Sequence, residues 1–249
     1  MRIIISPAKK MRVEDTIAPE GRPELLDDAS RILSYLRGLD EKELRRLWKA
    51  NDRIASQAME SLMCMDLGSM LSPALFSYDG IQYEYMSPSS FEDGMIRYCQ
   101  ENLRIISALF GVLRPLDGIA PYRLEFQAKA HVDGTKDLYA FWGDRICRKV
   151  LDDTAVIVNL ASDEYSKAVR PHLPDGAVMV TPVFADKTDK GFVTKGVYAK
   201  MARGEMVRFL AQNRIERPED MKAFDIGYSF DSSESTDTEY VFVRRTAER

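Results

Sequence analysis

Apolar positions along the chain follow two periods. Residues 2–5 are a short β-branched run that stops at Ser6-Pro7, which predicts a brief buried strand. Across 23–37, Leu25, Leu26, Ala29, Ile32, Leu33 and Leu36 recur at the spacing of one helix face. Asp40 with Glu43 makes a capping box for a second helix through Leu44, Leu47 and Trp48. Ile54, Ala55, Ala58, Met59 and Leu62 give the inner face of a third. Residues 75–86 contain an Asp79-Gly80 turn signal, and a helix carrying Met95, Ile96, Cys99 and Leu103 is expected from Ser89 or Ser90. The apolar stretch 104–113, with Gly111 inside, fits either a strand or a helix. Beyond it the pattern predicts a helix over 137–151, a buried strand over 155–160 and a short helix over 163–169. A strand over 177–184 then pairs with 192–197 through a turn at 187–191. A long helix over 198–213 and two last strands, 225–230 and 239–244, follow, joined by a polar Ser/Asp/Thr loop.

Strands spread through the chain with helices before and between them predict an α+β (mixed α/β) architecture: a single domain over 1–249, with a mixed sheet flanked by helices. There is no internal repeat, no GxGxxG and no GxxxxGK[ST], so the common nucleotide loops are absent.

Composition narrows the chemistry. Of 249 residues, 45% are hydrophobic and 30% charged, and the formal net charge is −4. These values describe a folded chain, and they give no global electrostatic reason to expect nucleic acid as a partner. Only three apolar residues run together before Ser6-Pro7, and no window approaches the ~20 apolar residues of a membrane span. A cytoplasmic protein without membrane contact is expected. Three scattered cysteines (Cys64, Cys99, Cys147) and two distant histidines (His131, His172) form no metal-ligand spacing, so neither a metal nor a cofactor is expected.

Polar residues gather where strands end or helices begin. Lys9 follows the first strand and Pro7, at the sheet edge where sites are usual; the bland alternative is a solvated lysine. Asn159-Leu-Ala-Ser162-Asp163-Glu164-Tyr165 joins a strand to a helix, with Ser162 as the natural N-cap. Asp163 and Glu164 either complement the helix dipole or supply a general base or metal contact. In 103–125, Gly111 permits a tight hairpin whose amides can face a phosphate, and Arg114 and Arg123 can each give bidentate contacts or pair with Asp117 and Glu125. Turning about 100° per residue along the late helix brings Lys200, Arg203 and Arg214 onto one stripe beside its apolar face. Residues 195–217 hold six basic and two acidic side chains, either a solvated face or the rim of a cleft.

Six motifs in order, Ile5-Ser-Pro-Ala-Lys9, Leu103-Arg-Ile-Ile-Ser-Ala-Leu-Phe-Gly-Val-Leu-Arg-Pro-Leu-Asp117, Pro121-Tyr-Arg-Leu-Glu125, Leu138-Tyr-Ala-Phe-Trp-Gly-Asp144, Val158-Asn-Leu-Ala-Ser-Asp-Glu-Tyr165 and Lys200-Met-Ala-Arg-Gly204, resemble the YaaA family of bacterial peroxide-stress proteins over nearly the whole chain. The resemblance implies survival of hydrogen peroxide through limited unincorporated iron, and a DNA-binding mixed fold with a helix-hairpin-helix element and a basic cleft. It places that hairpin at 107–111. It implies Lys9, Gly111, Arg114, Tyr122, Arg123, Lys200 and Arg203 as DNA or anion contacts. Ser6, Asn159, Ser162 and Tyr165 would line the cleft, and Asp163 and Glu164 are catalytic candidates. Many relatives carry Phe-Lys-Gly-Asp-x-Tyr where this chain has Tyr78-Asp79-Gly80-Ile81-Gln82-Tyr83, so a lysine and an acid of the pattern are missing. Two functions stand side by side, ahead of a third, direct handling of iron. One is non-specific binding of duplex or distorted DNA in a basic cleft; the other is an enzyme acting there on a small phosphorylated or nucleobase-like molecule. Cleft shape separates them, since an open groove admits a duplex and a closed pocket a small ligand.

Overall fold

Ile3, Ile4 and Ile5 are fully buried, because the strand they form, β1 (Arg2–Ile5), lies inside a sheet covered on both faces. The computed structural model describes residues 1–69, 72–189 and 191–245. After β1 come β2 (Lys10–Met11) and three helices, α1 (Leu26–Arg37), α2 (Glu41–Trp48) and α3 (Asp52–Cys64). The capping box is present: the Asp40 carboxylate accepts the Glu43 N–H at 2.8 Å, and Glu43 accepts that of Asp40 at 2.8 Å. Short pieces follow: β3 (Ser72–Pro73), α4 (Ala74–Ser77), β4 (Tyr78–Asp79) and α5 (Ile81–Met86). Then come α6 (Asp93–Asn102), β5 (Leu103–Ser107), β6 (Gly111–Leu113), β7 (Gly118–Ile119), α7 (Leu138–Trp142) and α8 (Arg145–Val150). The chain continues with β8 (Val156–Leu160), α9 (Asp163–Ser166), β9 (Val178–Thr188), β10 (Gly191–Val193), α10 (Gly196–Gln212), β11 (Tyr228–Phe230) and β12 (Glu239–Arg244).

Among the described residues the main sheet has eight strands in the order β11-β12-β9-β8-β1-β5-β6, with β10 paired to β9. Pairings β1–β5, β1–β8, β8–β9 and β9–β12 are parallel; β5–β6, β9–β10 and β11–β12 are antiparallel. The expected mixed α/β architecture is therefore present, with helices flanking a mostly parallel sheet. No helix among the described residues is long and apolar enough to cross a membrane.

Several element ends shift by a few residues: α6 starts at Asp93, and the strand expected over 192–197 ends at Val193, with α10 starting at Gly196. Three further expectations change. The helix over 137–151 is two helices, broken at Gly143, whose φ of 52° no helix accommodates. The helix over 163–169 has its last α-helical residue at Ser166. The 107–111 hairpin joins two strands, β5 and β6, rather than two helices, so a helix-hairpin-helix element does not form at that place. Its amides are taken internally: the Ser107 hydroxyl accepts the N–H groups of Leu109 and Phe110 at 3.2 and 3.0 Å. Gly111 has φ 73°, and a Cβ there would lie 2.8 Å from Leu25 Cδ1 and 2.9 Å from the Trp142 ring. Packing against Trp142, not approach of a phosphate, requires that glycine.

Candidate functional site

From β1 the sheet grows to β5 on one side; from β8 it grows to β9 on the other. Such a reversal opens a crevice at the carboxyl ends of the two adjacent parallel strands, where open α/β sheets place ligands. Ser6 and Ser162 lie just past β1 and β8. The Ser6 hydroxyl donates to Ser162 Oγ at 3.3 Å and accepts the Ser162 N–H at 2.9 Å. Ser162 occupies the N-cap position of α9, yet its side chain caps no helix amide. Its hydroxyl is spent across the crevice instead.

A cavity of about 370 Å³ fills this crevice. One wall is Ser6 to Lys10, another the segment Asp79 to Tyr83, a third Ser162, Glu164 and Tyr165, and a fourth Lys200 and Arg203 of α10. Gly204 fixes the fourth wall. A Cβ on it would overlap the Gln82 carbonyl oxygen and lie 2.8 Å from Met86 N, so α10 rests directly on the α5 backbone. Gln82 in turn donates its side-chain amide to Leu160 O at 3.2 Å, tying α5 to the end of β8.

The cavity holds four cations, Lys9, Lys10, Lys200 and Arg203, against two carboxylates, Asp79 and Glu164. Lys10 pairs with Asp79 across the β2–β4 ladder, and Lys9 with Glu125 at 2.8 Å. Among the described residues Lys200 and Arg203 have no ion pair. Arg203 is half-buried, and its Nε is buried with no hydrogen-bond partner. Burial lowers its pKa, with the charge of Asp163 acting the other way; a guanidinium nevertheless stays protonated. The two acids of the 159–165 motif part company. Asp163 is exposed, whereas Glu164 lines the cavity, accepts the Gln127 N–H at 3.2 Å and takes the Tyr139 hydroxyl on its carbonyl at 2.8 Å. Burial first, then the charge of Glu125, raises the Glu164 pKa, and Lys9 opposes the shift.

Beneath lies a tyrosine cluster. Tyr83 donates to Ser6 O at 3.0 Å, and the Tyr122 hydroxyl meets Tyr78 at 2.8 Å and Ser107 at 2.7 Å. Burial raises the Tyr122 phenol to about 12 and those of Tyr78, Tyr83 and Tyr165 further still. All four therefore act as neutral hydroxyls at physiological pH.

Of the residues singled out in the sequence, Ser6, Lys9, Ser162, Glu164, Tyr165, Lys200 and Arg203 meet in this cavity. Arg123 lies in an adjoining hollow of about 170 Å³ that Lys9 also lines. Arg114 does not join them. It follows β6, antiparallel to β5, so it sits toward the amino end of β5, at the opposite edge of the sheet. There it pairs with Glu24 at 2.8 Å. Gly111 is in the core, and Tyr122 lies in the hydroxyl cluster just described. Asn159 is buried as a brace: its Oδ1 accepts the Ala161 N–H at 3.1 Å and its Nδ2 donates to Thr181 Oγ1 at 3.3 Å. Arg214, on the same stripe by helix arithmetic, lies past the end of α10 at φ 50°, its guanidinium beside Gly94. Sequence reasoning missed Lys10, Gln82 and the hollow. It did mark Asp79 and Ile81 as departures from the pattern of relatives, and both line the cavity.

The sequence profile of peroxide stress protein YaaA matches residues 1–234. A UPF0246 protein of Agathobacter rectalis is 47% identical over 249 residues, 99% of this chain and 100% of its own length. UPF0246 proteins of Lachnoclostridium phytofermentans and Desulfitobacterium hafniense are 43% and 44% identical, covering 98% and 100% of this chain and 96% and 100% of theirs. With profile and full-length relatives in agreement, the chain belongs to the peroxide stress protein YaaA family.

Proposed function

We propose that this chain serves peroxide resistance by binding a small phosphorylated ligand, nucleotide-like in size, in the cavity between β1, β8, α5 and α10. Arg203 carries the reading: a half-buried guanidinium without a carboxylate partner, facing a concavity that already contains Lys200 and two serine hydroxyls. Unpaired buried arginine is costly unless an anion completes it, and its planar fork suits phosphate. The volume falls in the usual range for small-molecule sites, roughly 300–1,000 Å³. Glu164, its pKa raised by burial, is the acid or base within reach of such a ligand. Iron enters indirectly on this reading, because a cavity with twice as many cations as carboxylates repels a ferrous ion.

Calorimetric titration of the purified protein with adenosine 5′-monophosphate tests it. We expect saturable binding that Arg203→Gln weakens about 100-fold, the ~2–3 kcal/mol of a charge-assisted pair. Wild-type affinity unchanged in the Arg203→Gln protein refutes the assignment. A strain lacking its own family member should then regain peroxide resistance with the wild-type chain and not with Arg203→Gln.

One observation favours non-specific DNA binding as a second reading: Lys9 joins the cavity to the hollow of Arg123, which extends the cationic surface. Each phosphate engaged adds about 0.9 to the salt slope of log affinity. On that reading Lys200→Ala with Arg203→Ala flattens the slope by about 2; an unaltered slope excludes it.

A further inference from the structure

We infer, building on the cavity as a phosphate site, that its ligand carries two phosphoryl groups and that the second occupies the hollow between Trp48 and Arg123. The hollow is cationic in its own right: Lys9, Lys49 and Arg123 face a single carboxylate, Glu125. That excess of two matches one phosphoryl group, which carries up to about −2 at neutral pH. With Lys9 counted once, the two spaces together hold six cations against three carboxylates, a joint excess of three that meets two phosphoryl groups at about −1.5 each. Lys9 lines both spaces, so one ligand can reach across it.

Three features mark the hollow as built. Lys49 ends α2 in the left-handed region, at φ 46° and ψ 43°, where glycine is the usual and unstrained occupant. A lysine there gives up the stability that glycine would supply, and Lys49 lines the hollow. Arg123 has its Nε buried with no hydrogen-bond partner, and among the described residues neither Arg123 nor Lys49 makes an ion pair. Leu47, Trp48 and Ala128 are buried and supply an apolar floor, and low polarity strengthens charge–charge attraction. Glu125, at 2.8 Å from Lys9, holds the position that the second phosphoryl group would contest.

Titrating the full-length protein with adenosine 3′,5′-bisphosphate and with adenosine 5′-monophosphate tests the inference, read by calorimetry and tryptophan emission. Trp142 is fully buried with its indole N–H on Ala108 O at 3.0 Å, so a ligand-dependent change in emission reports Trp48. The bisphosphate should bind at least tenfold more tightly than the monophosphate, with an emission change for the bisphosphate alone. Lys49→Gly and Arg123→Gln should each bring the affinity ratio near one. Lys49→Gly should unfold at the same or a higher temperature than wild type, which separates lost charge from lost fold. Equal affinity for the two nucleotides in the wild type, or a ratio that neither variant alters, overturns the second site while the cavity stands. If neither nucleotide binds, the cavity reading falls and the second site falls with it.

Discussion

Substitution of Gly204 by alanine probes the contact that places Lys200 and Arg203 in the cavity. The added methyl would overlap the Gln82 carbonyl and crowd Met86 N and Tyr85 Cβ, at 2.8 and 3.0 Å. Two of these three atoms are backbone, so no rotamer change relieves them and α10 must lift from α5. Inserting a methyl into a packed interface costs about 1–3 kcal/mol, and rigid neighbours put this case at the upper end. Against it stands the better helix propensity of alanine, about 1 kcal/mol. The net loss is about 2 kcal/mol, and a chain of this length loses about 2–4 °C per kcal/mol, so Tm should fall by about 4–8 °C. Gly196 is the internal control. It lies at the start of the same helix, and a methyl added there would meet nothing within 4 Å. Gly196→Ala should leave Tm unchanged or raise it slightly. Thermal unfolding followed by circular dichroism reads both. A Gly204→Ala protein as stable as Gly196→Ala would refute the close approach of α5 and α10 and, with it, the fourth wall of the cavity.

Glu164 and the cysteines give two further tests. The Glu164 pKa is raised above 4.5 by burial, so its neutral form is favoured in the folded protein. The side chain costs nothing below the unfolded value of 4.5, and the folded state loses stability as pH rises through the raised folded value. Glu164→Gln should therefore match wild type near pH 4 and become the more stable protein toward pH 7. Urea midpoints across that range check it, and a pH-independent difference contradicts it. Cys64 is exposed, whereas Cys99 and Cys147 are buried, with burial raising their thiols to about 12 and 11. A disulfide reagent should titrate one thiol quickly in the native protein and three in denaturant; more than one fast native thiol refutes this.

The elements most legible in the sequence are those that local patterning governs. The capping box of α2, the apolar faces of α1 and α3, and the β-branched runs of β1 and β8 are all present as the spacing predicts. What stays hidden depends on partners distant in the chain. Residues 104–113 are apolar because both β5 and β6 are buried on every side, and periodicity cannot separate that from a buried helix. Ser162 reads locally as a cap, and only the arrival of Ser6 at 3.3 Å turns its hydroxyl to the crevice. Arg114 and Arg123 are nine residues apart and look alike in sequence. The hairpin sends Arg114 to the opposite edge of the sheet, while the loop beyond returns Arg123 to the hollow beside Lys9. Lys200 and Arg203 are legible because one helix carries both. Gln82 leaves no local signal, since only its bond to Leu160 O reveals it.

The position of β1 has a consequence for how the molecule is made. Ile3 pairs with Leu103 on one side and with Val158 on the other, so the central strand must wait for partners synthesised 100 and 155 residues later. Until then an apolar segment with two open edges stays unsatisfied, which is the situation that slows folding and invites association with other chains. Both cavity walls at the crevice exist only after β1 has inserted between β8 and β5. Ligand capacity should therefore appear in refolding experiments at the last kinetic step, together with native sheet structure, and in no truncated fragment that ends before β8.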